Sequence, residues 1–251
     1  MKFINKTILI TGASRGIGAS TSLLAGKKGY NVCVNFLNND HLANNIVNEI
    51  KSQGGKAIAY KANISIEKGV IQLFKKIDKD FGKIDALVNN VGVLDKQSKV
   101  ENLELERLQK TFNYNVISYF LCCKEAIKRM SSKNGGAGGG IVNVSSIASK
   151  TGAPNEYVDY AASKAAIDAL IIGLSKEVAN EKIRVNAVRP GFIYTDIHID
   201  GGEPNRVDRI KEEIPMKRGG KPIEVAQAIL WLLSEKSSFS TGIFIDITGG
   251  V

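Results

Sequence analysis

The chain has 251 residues, 43% of them apolar, and carries a formal net charge of +9 from 34 Lys and Arg against 25 Asp and Glu. That length is enough to bury one sizeable core, so a single domain over residues 1–251 is expected. No apolar run can span a bilayer, the 3 cysteines lack CxxC spacing, and the 2 histidines are scattered, which argues against membrane insertion, a disulfide framework and a metal cluster. The basic residues are dispersed, without the basic blocks or interleaved aromatics of nucleic-acid binding, and suit instead a general field that favours anionic cofactors or substrates. Residues 1–6 lack the apolar region of a signal peptide, so a soluble, cytoplasmic protein is expected.

Residues 6–11 form a short apolar, β-branched run, followed directly by Gly12-Ala13-Ser14-Arg15-Gly16-Ile17-Gly18 and then a helix-like stretch over 19–28. Strand, glycine turn and helix in that order make a phosphate cradle. The glycines permit the tight turn and a close backbone approach, and the helix offers free N–H groups and its positive dipole end. Further strands are predicted over 31–36, 56–61, 84–89, 140–145, 183–188 and 243–247, with helices between them, and the Gly-rich stretch 134–140 reads as a loop feeding the fifth strand. Such alternation predicts an α/β fold: a doubly wound parallel sheet of about seven strands with helices on both faces. Gly12, Asn89-Asn90, Ser145-Ser146 and Arg189-Pro190-Gly191 all fall at strand ends, the edge where such sheets bind ligands.

The apolar residues of 115–130 and 167–178 cover more than one stripe, which predicts a second subunit against one face, in a homodimer or homotetramer. Within a helix predicted over 156–180, Tyr160 is followed four residues later by Lys164, a spacing no other tyrosine in the chain has. Positions i and i+4 share a face, so an ammonium is expected beside a phenol, lowering a pKa that is otherwise about 10 and making the hydroxyl a usable proton carrier.

Together these motifs resemble the short-chain dehydrogenase/reductase family over nearly the whole chain. Residues 11–18 read as its cofactor turn, Asn89-Asn90-Val91-Gly92 as its NNAG motif with Val for Ala, and Asn115, Ser146, Tyr160 and Lys164 as its catalytic tetrad. The C-terminal half is similar to a bacterial subgroup of oxidoreductases without defined substrates and, more distantly, to glucose dehydrogenases. The resemblance implies a Rossmann-type fold, hydride exchange between a nicotinamide cofactor and a small carbonyl or alcohol compound, and proton exchange by Tyr160. Lys164 would lower the tyrosine pKa and bind the nicotinamide ribose, Ser146 would hold the substrate oxygen, and Asn115, with Asn113 as its rival, would anchor a water reaching Lys164. Ser146 is preferred to Ser145 by spacing to Gly152 and by strand alternation.

Gly12, Ser14, Arg15, Gly16, Ile17, Gly18, Asn90, Gly92, Pro190 and Gly191 are the implied cofactor contacts, with Ile193 and Thr195 on the nicotinamide carboxamide. Asn35 stands where NAD-binding members carry an acidic residue, and Arg15 where NADP-binding members carry a basic one, so NADP(H) is favoured, with NAD(H) as the alternative. Asn63 replaces an aspartate expected on the adenine, with its amide carbonyl as acceptor, assisted by the Ile64 backbone. A polar rim of Asn155, Glu156, Tyr157, His198, Asp200 and Glu203 would suit a sugar, polyol or other small polar carbonyl compound. Reduction of a 3-oxoacyl group on acyl carrier protein ranks lower, because Gly138-Gly139-Gly140 and Glu181 stand where basic residues would grip an acidic carrier. A dinucleotide-sensing regulator ranks lower still, since Tyr160 and Lys164 are both present.

Overall fold

The computed structural model describes Phe3 and residues 5–251; the expectation for residues 1–6 falls partly on Met1, Lys2 and Ile4, which lie outside the described residues. The strands β1 (Thr7–Ile10), β2 (Asn31–Phe36), β3 (Lys56–Lys61), β4 (Ala86–Asn89), β5 (Gly139–Val144), β6 (Ile183–Pro190) and β7 (Phe244–Ile247) form a parallel sheet in the order β3-β2-β1-β4-β5-β6-β7. Strand order reverses between β1 and β4. Crossovers therefore leave in opposite directions there, opening a crevice beyond the carboxyl ends of those strands.

Burial on both faces explains why β1, with the sequence Thr-Ile-Leu-Ile, is apolar at every position rather than alternating. Its neighbours separate by parity: Ile8, Ile10, Val32 and Val34 enter one core layer, while Leu9, Cys33, Leu87 and Ile141 enter the other. The first layer is covered by α1 (Gly16–Lys27), α2 (Asp40–Ser52) and, late in the chain, α10 (Pro222–Leu232). The second is covered by α3 (Glu67–Phe81), α5 (Ser118–Met130) and α7 (Val158–Glu177). The remaining helices are short: α4 (Leu105–Phe112), α6 (Ala148–Thr151), α8 (Ile197–Asp200) and α9 (Arg206–Ile210).

The helix predicted from residue 115 begins earlier. A π turn over Asn113–Ile117 joins α4 to α5, so the chain is continuously coiled from Leu105 to Met130. The helix predicted over 156–180 is shorter at both ends, because Tyr157 is non-helical at φ −141° and Ala179–Glu181 tightens into a 3₁₀ turn. Both apolar helices keep Ile117, Phe120 and Ile172 about half exposed while burying Tyr119, Cys122, Ile167 and Ile171. All three cysteines are buried and free. Among the described residues no helix is long and apolar enough to cross a membrane.

Candidate active site

The crevice at the strand-order reversal is a cleft of about 460 Å³. Its floor is the turn after β1. Gly12 and Gly16 adopt φ of +60° and +56°, which side chains with a Cβ rarely adopt. Gly18 lies beneath the turn rather than on its surface, where a Cβ would meet the Gly12 carbonyl oxygen at 2.4 Å and Asn90 Nδ2 at 2.6 Å. Asn90 clamps the same turn, donating from Nδ2 to the carbonyls of Thr11 (3.0 Å) and Gly12 (3.1 Å). The first turn of α1 has no side-chain cap and no acidic residue, leaving its N–H groups and positive dipole end for an anion. These features fit a dinucleotide pyrophosphate.

Gly12, Ser14, Arg15, Gly16 and Ile17 line the cleft together with Asn90 and Gly92. Ser146, Tyr160 and Lys164 line the same cleft, as do Pro190, Gly191, Ile193 and Thr195. The structure thus brings together the glycine turn, the serine strand end and the Tyr-Lys helix. Ser145 and Ser146 diverge as strand alternation requires: Ser145 Oγ donates to Asp168 Oδ1 at 2.6 Å, whereas the Ser146 hydroxyl faces the Tyr160 phenol and favours its ionised form.

Several expectations are altered. Burial outweighs that hydroxyl and pushes Tyr160 up to about 12, so the phenol is held protonated rather than lowered by its neighbour. Lys164 is instead the group brought toward neutrality: burial lowers it to about 7 against the raising influence of Asp168. Its Nζ lies 5.6 Å from the Tyr160 ring centre and donates to Val144 O (2.8 Å) and Tyr119 Oη (3.2 Å). Asn115 is fully buried and hydrogen-bonded on both sides of its amide. Oδ1 accepts from Val93 N (2.8 Å), and Nδ2 donates to Val93 O (3.0 Å) and Ser163 Oγ (3.1 Å), tying the loop after β4 to α7. Its rival Asn113 is exposed.

Asn35 does not face the cleft. Its Nδ2 donates to the carbonyls of Tyr60 and Ala62, both at 3.2 Å, so the side chain stitches β2 to β3 and is 1% exposed. Asn63 and Ile64 also lie outside the cleft lining. Asn63 Oδ1, the expected acceptor, already receives Ser65 N (3.0 Å) and Ser65 Oγ (2.7 Å), and Ile64 is buried. The Ile193 carbonyl, expected near a carboxamide, is held by His198 Nε2 at 3.1 Å. Burial keeps that imidazole below its ordinary pKa.

Further residues shape the site without a motif to announce them. Arg107 forks onto Asp159, the residue before Tyr160, with Nε–Oδ2 of 2.8 Å and Nη2–Oδ1 of 3.1 Å, locking the first turn of α7 to α4. Arg206 pairs with Glu156 and Glu203 and sits over the Tyr157 ring at 5.1 Å, joining the loop before α7 to the segment carrying α8 and α9. Arg107 and Asp159 are 52 positions apart, and Arg206 and Glu156 are 50 apart. Sequence pattern gives no signal at such separations.

Comparison with known proteins agrees with this geometry. A family described as enoyl-(acyl carrier protein) reductase matches residues 12–251. The chain is 58% identical over 242 residues to the uncharacterized oxidoreductase YgfF of Escherichia coli (strain K12), covering 96% of this chain and 98% of that protein. It belongs to the short-chain dehydrogenase/reductase family. It is also 34% identical over 248 residues to the 3-oxoacyl-[acyl-carrier-protein] reductase FabG of Staphylococcus epidermidis, covering 99% of each. Among solved structures, a short-chain type dehydrogenase/reductase from Mycobacterium marinum superposes with a TM-score of 0.92 at 32% identity, covering 99% of this chain and 96% of that one. Membership gives the protein an oxidoreductase character, and the similarity to YgfF agrees with the bacterial subgroup that the C-terminal half resembles.

Proposed function

We propose that the protein reduces a small polar carbonyl compound to its alcohol, or runs the reverse, with NADP(H) in preference to NAD(H). The observation that carries this reading is the shared cleft, lined both by the phosphate cradle of α1 and by Ser146, Tyr160 and Lys164. A bound nicotinamide would supply or accept the hydride. Ser146 would hold the substrate oxygen, Tyr160 would deliver its proton there, and the Lys164 ammonium would stabilise the phenolate left behind. A phenol raised to about 12 suits the acid role in reduction, because it is fully protonated near neutrality. Asn115 contributes by fixing the loop after β4 and the turn of α7 before Lys164.

Support for NADP(H) comes from Arg15 in the cleft wall and from the lack of a carboxylate at the end of β2. The first one, Asp40, is paired with Lys61 at 2.8 Å. Nothing acidic there would repel a 2′-phosphate. Asn35 contributes to this preference only by not being acidic, since its amide is turned to β3.

A single domain would serve both cofactor and substrate, in a cytoplasmic homodimer or homotetramer. The half-exposed Ile117, Phe120 and Ile172 support a second copy against α5 and α7. A second reading, reduction of a 3-oxoacyl thioester, is favoured by the similarity to FabG. A panel of sugars, polyols, simple ketones and acyl thioesters, assayed with both reduced cofactors, tests these readings. Consumption of NADPH with a polar ketone or aldose is expected. Turnover of the thioester alone would favour the second reading, and no turnover across the panel would contradict both.

A further inference from the structure

Behind Lys164 the second core layer is not wholly apolar. Tyr119, on α5 one turn beyond Asn115, is 1% exposed, and its hydroxyl sits between β4 and β5 at 2.9 Å from Val91 O and 3.0 Å from Val144 O. A phenol has one proton and two lone pairs. Both neighbouring carbonyls can only accept, so they take that proton and leave the oxygen's lone pairs for Lys164 Nζ at 3.2 Å. Burial raises Tyr119 well above the ordinary tyrosine value, so the phenol stays neutral, with its proton held by the two carbonyls. Its function is therefore that of a fixed acceptor. Nothing in the motif pattern singles out this residue.

The geometry points to Tyr119 as the positioning residue that holds the Lys164 ammonium in its charged form at the cleft wall, through a hydroxyl oriented by the Val91 and Val144 carbonyls. This rests on the reading of Lys164 given above, but its first test does not need turnover. Other charged and titratable groups around the lysine are few. On its own helix are Tyr160 and Asp168, the latter paired with Arg189 of β6 at 2.9 Å; on α5 near Tyr119 are Cys122 and Cys123; elsewhere in the cleft lining are Asp196 and His198. Of these, Asp168 opposes the loss of the lysine's proton. Tyr119 and Val144 O receive the Nζ protons directly. A hydrogen bond to a charged group is roughly twice as strong as one between neutral groups, so losing this acceptor disfavours the ammonium.

The test is Tyr119→Phe, read by NMR titration of ε-labelled lysine in the purified protein, with Lys164→Arg assigning the resonance. Removing the acceptor is expected to lower the Lys164 pKa by about one unit. The alkaline limb of kcat/KM for the reduced cofactor should move to lower pH by the same amount, a shift that loosened packing alone would not produce. An unchanged Lys164 titration in a folded Tyr119→Phe protein overturns the proposal, whatever its activity. If that variant does not fold, 3-fluorotyrosine at position 119 keeps the packing and the hydroxyl but weakens the oxygen as an acceptor. A smaller shift in the same direction supports the proposal, and no shift overturns it.

Discussion

Arg15, in the glycine turn after β1, is paired with Asp200 at the end of α8, a residue 185 positions later in the chain. The contact ties the cofactor turn to the segment whose Ile197 and His198 also line the cleft. Both side chains are about two-fifths exposed, so the pair is worth at most about 1 kcal/mol and is easily exchanged for a better anion.

That exchange gives a first prediction. If Arg15 receives a 2′-phosphate, Asp200 competes for it. Asp200→Asn should then tighten NADPH binding by up to about fivefold at low salt and leave NADH binding unchanged, measured by fluorescence titration. Equal effects on the two cofactors would remove Arg15 from the discrimination.

The fork of Arg107 on Asp159 carries a second. Asp159 is 5% exposed in the first turn of α7, where the helix dipole also favours its charge. Removing the arginine leaves a buried carboxylate unpaired beside Tyr160. Arg107→Ala is expected to cost about 3 kcal/mol in a denaturant melt, more than an exposed ion pair such as Lys124 with Glu67 could. Equal losses for the two pairs would contradict this assignment.

A third concerns stability against pH. Lys164 stands at about 7 in the folded protein against 10.5 in its ordinary state, so below pH 7 the folded chain carries the whole cost of a buried ammonium. Between pH 7 and 10.5 the unfolded chain binds the additional proton, and the cost diminishes as pH rises. Lys164→Met should therefore be more stable than the parent at pH 6, with the gap narrowing by pH 10 in paired thermal melts. A constant gap would show that the lysine titrates normally when folded.

Much of this was legible in the sequence because it is local. The strand-turn-helix around Gly12, the buried alternation of 140–145 and the Tyr160-Lys164 spacing each depend on residues a few positions apart. The parallel sheet and the edge that gathers the motifs follow from such signals. Side-chain direction did not follow in the same way. Asn35 occupies a suggestive position, yet an amide at the end of β2 finds the free carbonyls of Tyr60 and Ala62 and turns inward. Asn115 likewise finds both polar groups of Val93. The i,i+4 rule put a lysine on the same helix face as Tyr160, but it could not weigh burial against charge. Burial dominates that balance, against Ser146 at the phenol and Asp168 at the amine, and it leaves the phenol high and the amine low.

Tyr160→Phe, compared with the parent protein for NADPH binding and for loss of reduced-nicotinamide absorbance with a substrate found in the panel, tests the account most directly. Cofactor affinity within about twofold of the parent with turnover reduced at least a hundredfold is the predicted result, since only the proton donor is removed. Turnover undiminished by the loss of that hydroxyl would contradict the role given to the Tyr160 wall of the cleft.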